Sequence, residues 1–350
     1  MAIAPLNWIN IIGGTNGVGK STLLEAVFYF MSQHHPHNFN FMIRKYGPQS
    51  ISPSLLKNMP YFFSKLTETG GGQFQVSADT NFGKILASTE IKADDRREIR
   101  LPREINWMNA EKILPTSGLR PENMMAESNS NLDGEIKALY RYTRHPAGKI
   151  SVDITQAWSG PLMPTSYFVR NIMFGNASLT ALLSRITEDG LLSAVIDFLH
   201  VLTPGVTDLR VMTDGPTQQI SAKADNDKWL PITSYGGGTS LALGLCLYII
   251  EATNGVCCFE HIESEIHHLK LPEFWKAIGR LANKFKCQIF FTTHSYENIQ
   301  KALTGLEEAG LLSSLQYIRL SKNTKKGENY SDVYTHEMLN EALSVEYDPR

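Results

Sequence analysis

The stretch Gly14-Thr15-Asn16-Gly17-Val18-Gly19-Lys20-Ser21-Thr22 constrains the fold of this chain more than any other, because it completes the pattern G-x-x-x-x-G-K-[ST]. The run Leu6-Asn7-Trp8-Ile9-Asn10-Ile11-Ile12 before it reads as a buried strand, and Leu23 to Met31 after it reads as a helix. Strand, glycine loop and helix in that order predict a phosphate-binding loop that holds a nucleoside triphosphate. The glycines let backbone N–H groups curl around an anion, and the helix N-terminus adds a favourable dipole. Asn16, Gly17, Gly19 and Thr22 belong to the cradle. Lys20 is expected to reach the β- and γ-phosphates, and the Ser21 hydroxyl to bind Mg²⁺.

A chain of 350 residues can form one large domain or two ordinary ones. Its 42% hydrophobic content excludes a disordered protein. The net charge of −2 excludes a global basic field for gripping nucleic acid. Lys322, Lys325 and Lys326 form a local basic run that reads as a solvated loop. The cysteines Cys246, Cys257, Cys258 and Cys287 lie in apolar runs without a C-x-x-C pair, so buried reduced thiols are expected. No basic n-region precedes the first apolar residues. The longest apolar stretch, Leu241 to Ile250, is roughly half of a bilayer span. A cytoplasmic protein without a membrane partner is the expectation.

Along the chain, His34-His35-Pro36-His37 reads as an exposed loop rather than a metal cluster, since Pro36 breaks any helix and adjacent histidines rarely converge on one ion. Residues 70–106 carry short alternating runs split by Gly70-Gly71-Gly72 and Gly83, the pattern of a β-meander. Pro115 to Gly134 turns polar and predicts a mobile loop, as does 321–331. Leu179 to Leu202 returns to a helical period. Two buried strands are expected over Gly255–Phe259 and Cys287–Thr293, with a helix over Leu271 to Phe285 between them. That succession argues a parallel sheet with a crossover helix. No sustained heptad run predicts a coiled-coil arm.

Three further segments narrow the reading. Thr233-Ser234-Tyr235-Gly236-Gly237-Gly238 precedes a long apolar helix. Glu260-His261-Ile262-Glu263-Ser264-Glu265-Ile266-His267-His268 follows a buried strand, and Thr292-Thr293-His294-Ser295 ends the next. Phosphate loop, S-x-G-x-G, acidic strand end and T-H-S together resemble an ABC-type ATPase head, the group that includes SMC, RecF and OLD-like proteins. The resemblance is nearest to stand-alone bacterial ATPases of the OLD-like AAA class, where the corresponding stretches read LIDEIENGLHH and QVFATTHSYE. Phe259 to His268 and Gln288 to Glu297 match them nearly position for position. The tail from Tyr334 resembles that group's acidic C-terminal helix. The likeness covers residues 5–33 and about 195–350.

The resemblance implies ATP with Mg²⁺ as ligands and composite sites in a head-to-tail dimer or higher oligomer. In it, Ser234, Gly236 and Gly238 of one subunit would contact the γ-phosphate held by another; a helix N-terminus with exposed N–H groups suits an anion. It also implies Glu260 at the position that orders Mg²⁺ with Ser21, and His294 as the γ-phosphate switch. Two departures stand out. Glu260 replaces an Asp and is longer by roughly one C–C bond of ~1.5 Å. His261 replaces the Glu that activates the attacking water. A neutral imidazole can accept a proton, but losing a positioned general base costs about 10²–10⁴-fold. Slow hydrolysis and a working variant site both stay open here. Glu263 and Glu265 could supply an alternative carboxylate, though a solvated loop after the strand is the blander reading. The β-ribbon that the family carries ahead of its phosphate loop has no counterpart in Met1 to Pro5.

The expected architecture is an α/β ABC-ATPase head with a mostly parallel core sheet, a β-rich inserted lobe and a helical lobe. It would form a single head: residues 1–50 the phosphate-loop half, 51–165 the β-rich insertion, 166–230 the helical lobe, and 231–350 the remaining motifs. The expected function is an ATP-dependent switch that controls a separate effector. By resemblance that effector is a nuclease in antiphage defence, with nucleic acid reached only through it. A RecF-like DNA-repair ATPase and a transporter nucleotide-binding subunit are the alternatives.

Overall fold

The computed structural model describes residues 3, 6–31, 72–80, 83–93, 124–144, 150–160, 164–169, 176–214, 217–224, 228–323, 328–345 and 348–349. The histidine run at 34–37 lies outside them. The chain divides into two units, Met1–Phe28 with Met163–Arg350, and Tyr29–Leu162.

The apolar run before the glycine loop forms β1 (Ile9–Gly13), buried at every position. It starts later than the sequence suggested, because Leu6 and Trp8 are exposed. Helix α1 (Lys20–Met31) follows the loop directly.

The Tyr29–Leu162 unit holds a five-stranded antiparallel sheet of β2 (Gly72–Thr80), β3 (Gly83–Ala93), β4 (Met124–Leu132), β5 (Glu135–Arg144) and β6 (Ile150–Gln156), paired in chain order. The meander expected in this region is present over 72–93, while Glu98 to Leu101 lies outside the described residues. The polar stretch expected as a mobile loop over 115–134 is instead strand from Met124 to Leu132, with residues 115–123 outside the described set. Hydroxyls take the inward positions there. Ser128 and Ser130 are buried, and the Tyr29 hydroxyl bonds to Ser128 Oγ at 2.7 Å and to Thr89 Oγ1. Buried polar groups with partners satisfy a sheet interior as apolar groups would.

The other unit carries the core. Its strands and helices are β7 (Thr165–Val169), α2 (Asn176–Glu188), α3 (Leu192–Leu199), β8 (Val206–Asp214), β9 (Thr217–Ala224) and β10 (Trp229–Pro231). Then come α4 (Gly237–Glu251), β11 (Val256–Glu260), α5 (Leu271–Phe285), β12 (Gln288–Thr292) and α6 (Tyr296–Glu308). The last are β13 (Leu315–Asn323), β14 (Glu328–Thr335) and α7 (His336–Ser344). The six-stranded sheet runs β14-β13-β1-β12-β11-β7. Every pairing in it is parallel except β13 with β14. The expected α/β architecture with a mostly parallel core sheet is therefore present. Strands β8, β9 and β10 form a small antiparallel sheet.

Helix α4 is buried continuously from Thr239 to Leu247, as befits a helix apolar on all sides. Helix α5 is amphipathic instead: Leu271, Phe274, Trp275, Ile278, Leu281, Ala282 and Phe285 face inward at helical spacing. Trp275 packs on Phe291 of β12, ring centroids 4.8 Å apart. The four cysteines are buried and reduced. Burial pushes the Cys246 and Cys257 thiols far above their ordinary range. The 321–331 stretch, expected as a loop, is strand over 321–323 and 328–331, because β14 pairs with β13 residue for residue from Glu328 to Thr335. Among the described residues no helix is long and apolar enough to cross a membrane.

Candidate nucleotide site at the strand ends

The register of the core sheet brings three sequence segments to one edge. Ile12 of β1 lies beside Thr292 of β12, and Thr292 lies beside Glu260 of β11. All three strands are parallel, so the glycine loop, the acidic strand end and the T-H-S segment leave the sheet together. The carboxyl ends of parallel strands are where open α/β sheets bind ligands.

The loop itself is held tightly on one side. Gly14 has φ of 132°, and a Cβ there would stand 2.3 Å from the Leu320 carbonyl oxygen of β13, so only glycine fits. Asn16, Gly17 and Thr22 are exposed. Lys20, only 4% exposed, donates from Nζ to the carbonyls of Gly14 at 2.7 Å and Thr15 at 2.8 Å. Burial lowers its pKa from 10.5 to about 8. The Ser21 hydroxyl donates to Glu260 Oε1. The extra methylene of Glu260 thus does not keep its carboxylate away from the loop. A serine hydroxyl and a carboxylate in contact, both oxygen donors beside a phosphate cradle, fit Mg²⁺, which takes oxygen ligands.

His261 adopts φ of 46°, an uncommon conformation for a non-glycine residue. Its N–H is shared between the Thr292 carbonyl at 3.2 Å and Thr292 Oγ1 at 3.3 Å. The turn carries the His261 imidazole onto His294, with ring centroids 4.3 Å apart and planes 10° from parallel. The residue in place of the expected carboxylate is therefore stacked on His294.

Glu263 corrects the sequence reading of a solvated loop. Its Oε1 accepts from the Thr293 hydroxyl, and Oε2 is buried without a hydrogen-bond partner. Burial raises its carboxyl above the usual range, against the pull of the Thr293 hydroxyl and the nearby backbone N–H of His294. Thr293 Oγ1 accepts in turn from the Ser295 N–H at 3.0 Å and from Asn298 Nδ2 at 3.4 Å. Asn298 Oδ1 accepts from Trp275 Nε1 at 2.8 Å. This chain ties Thr293, the neighbour of His294, to α5 and α6. Thr292 and Thr293 lie inside the T-H-S segment but had no role assigned, and Asn298 was not legible, since nothing in its spacing marks it.

The S-x-G-x-G segment sits elsewhere in the local geometry. A short helical turn over Ile232–Tyr235 ends at Gly236, whose φ is 100°, and α4 starts at Gly237. Ser234, Gly236 and Gly237 are exposed and Gly238 is partly covered. A Cβ on Gly238 would lie 2.9 Å from the Glu265 carbonyl oxygen, and one on Gly237 2.8 Å from Glu265 Oε2. Within one chain the turn therefore neighbours Glu265, five residues beyond the acidic strand end.

A family model described as "AAA domain, putative AbiEii toxin, Type IV TA system" matches residues 9–299. No curated protein matches the chain. Among solved structures, an SmcHead bound to the C-winged helix domain of ScpA is 12% identical, with a TM-score of 0.44 and coverage of 97% of this chain and 92% of that one. An SMC head domain from Thermotoga maritima is 9% identical, with a TM-score of 0.38 and coverage of 93% and 89%. An Smc head with an extended coiled coil, bound to the C-terminal domain of ScpA derived from Pyrococcus furiosus, is 11% identical, with a TM-score of 0.40 and coverage of 97% and 93%.

Proposed function

The chain belongs to the AAA-domain family described as a putative AbiEii toxin of a Type IV TA system, and from that premise we propose that it is an ATP-operated switch with weakened hydrolysis. ATP binds at the phosphate loop, closes the chain on a second copy of itself, and thereby controls a separate effector. The observation that carries this reading is the stack of His261 on His294 at 4.3 Å, a histidine pair where a water-activating carboxylate is expected. A chain without that carboxylate hydrolyses slowly and keeps its nucleotide, which suits a switch better than a motor.

The residues at the strand ends divide the work. Lys20 turns from the Gly14 and Thr15 carbonyls to the phosphates. Ser21 and Glu260 would hold Mg²⁺, which when bound would neutralise phosphate charge. Glu263 and Thr293 brace the strand end that carries His294, the group offered to the terminal phosphate. Ser234, Gly236 and Gly238 are offered to a nucleotide held by the second copy, and the exposure of this turn supports that role. A nuclease-type effector in antiphage defence is supported by the likeness of residues 259–268 and 288–297 to OLD-like ATPases. The family description, which names a toxin of a TA system, supports a role exerted through a second component.

Light scattering with and without ATP tests the closure. The wild-type chain is expected to gain mass with ATP and Mg²⁺. Gly236→Asp sets a carboxylate against phosphate and is expected to abolish that gain. An ATP-induced gain that the variant keeps would contradict the composite site.

A further inference from the structure

Strand order fixes the direction in which a bound nucleotide lies. In the core sheet β1 stands between β12 and β13. Glu260, His261 and His294, the groups suited to the terminal phosphate, all lie on the β12 side. A triphosphate whose last phosphate faces them must run back across the glycine loop, so its nucleoside emerges on the β13 side.

On that side the hairpin of β13 and β14 outruns β1. Gly13, the last residue of β1, pairs with Arg319, and β13 continues through Leu320, Ser321, Lys322 and Asn323. At about 3.3 Å per residue this overhang reaches about 13 Å beyond the end of β1. The hairpin touches both ends of the loop. The Leu320 carbonyl closes on Gly14, and Asn329 Nδ2 lies 3.4 Å from where a Cβ on Gly19 would stand. Pairing sets Lys322 directly opposite Asn329, and directly paired residues share a face, while Ser321 and Tyr330 take the other. Lys322 and Asn329 are both exposed. An amide that donates and accepts, beside an ammonium that donates, matches ribose hydroxyls and the edge of a base.

We propose that the Lys322–Asn329 face of this hairpin is the nucleoside subsite, with the Asn329 amide hydrogen-bonding to the ribose or base of the bound nucleotide. The subsite rests on the reading of the glycine loop as a triphosphate site. Comparing ATP with inorganic tripolyphosphate separates the two claims, because the second ligand has phosphates and no nucleoside. Both are titrated calorimetrically with Mg²⁺ into the full chain. Asn329→Ala is expected to weaken ATP about three- to tenfold, the worth of one or two hydrogen bonds, and to leave tripolyphosphate unchanged. Tyr330→Ala, on the opposite face, is expected to change neither. Unchanged ATP affinity in Asn329→Ala overturns the subsite. Equal loss for both ligands also overturns it, by making Asn329 a prop for the loop. Selective loss of ATP in Tyr330→Ala moves the nucleoside to the other face and overturns it too. If neither ligand binds the wild-type chain, the triphosphate reading itself fails and the subsite falls with it.

Discussion

Lys20 is the residue proposed to meet the phosphates. Its ammonium is buried and rests on two loop carbonyls, and desolvation lowers its pKa to about 8. Phosphates would favour the charged form, so binding above that pH must take up a proton. The sign follows: ATP affinity is steady below about pH 8 and falls as pH rises past it, by up to about tenfold per pH unit. Lys20→Ala is expected to cost tenfold or more at neutral pH, about 1.4 kcal/mol or greater. Calorimetry across pH checks both, and an affinity that is flat to pH 10, or equal in the two proteins, would contradict the role. Lys20, Ser21 and their glycines were legible because a phosphate loop is a local pattern whose residues are sequence neighbours. The partners of His261 were not. Its contact with His294 arises from the register of two strands and from a left-handed turn, neither of which leaves a mark in composition or spacing.

Elements were legible where apolar side chains set the period and illegible where polar ones did. Helix α5 and strands β11 and β12 emerge close to their expected limits because their buried faces are aliphatic and aromatic. Strand β4 was hidden because Ser128 and Ser130 fill the inward places. The end of the β13–β14 hairpin was hidden because Lys322, Asn329 and their neighbours read as a solvated loop. Pairing along a strand, not side-chain apolarity, builds that region. Polar links also hold α5 and α6 to the site, through Trp275, Asn298 and Thr293. Trp275→Phe leaves the buried Asn298 acceptor without its indole donor. It is expected to lower stability by about 1–3 kcal/mol, read as an earlier urea midpoint. An unchanged midpoint would mean that this bond does not brace the strand end at Thr293.

At the scale of the whole molecule, the core sheet gathers the glycine loop, the Ser21–Glu260 contact and His294 at one edge, and leaves Ser234, Gly236 and Gly237 exposed. In the switch proposed above, His261 stands where a carboxylate would activate water. His261 therefore decides between switch and motor. Phosphate release under saturating ATP and Mg²⁺ measures it, in the wild-type chain and in His261→Glu, once calorimetry shows that both bind ATP. The wild-type rate is expected below about 1 s⁻¹, the lower edge of ordinary turnover. His261→Glu is expected to raise it tenfold or more, within the roughly 10²–10⁴ range a positioned base supplies. Brisk wild-type turnover that drops in His261→Glu would contradict the switch and make His261 the working base.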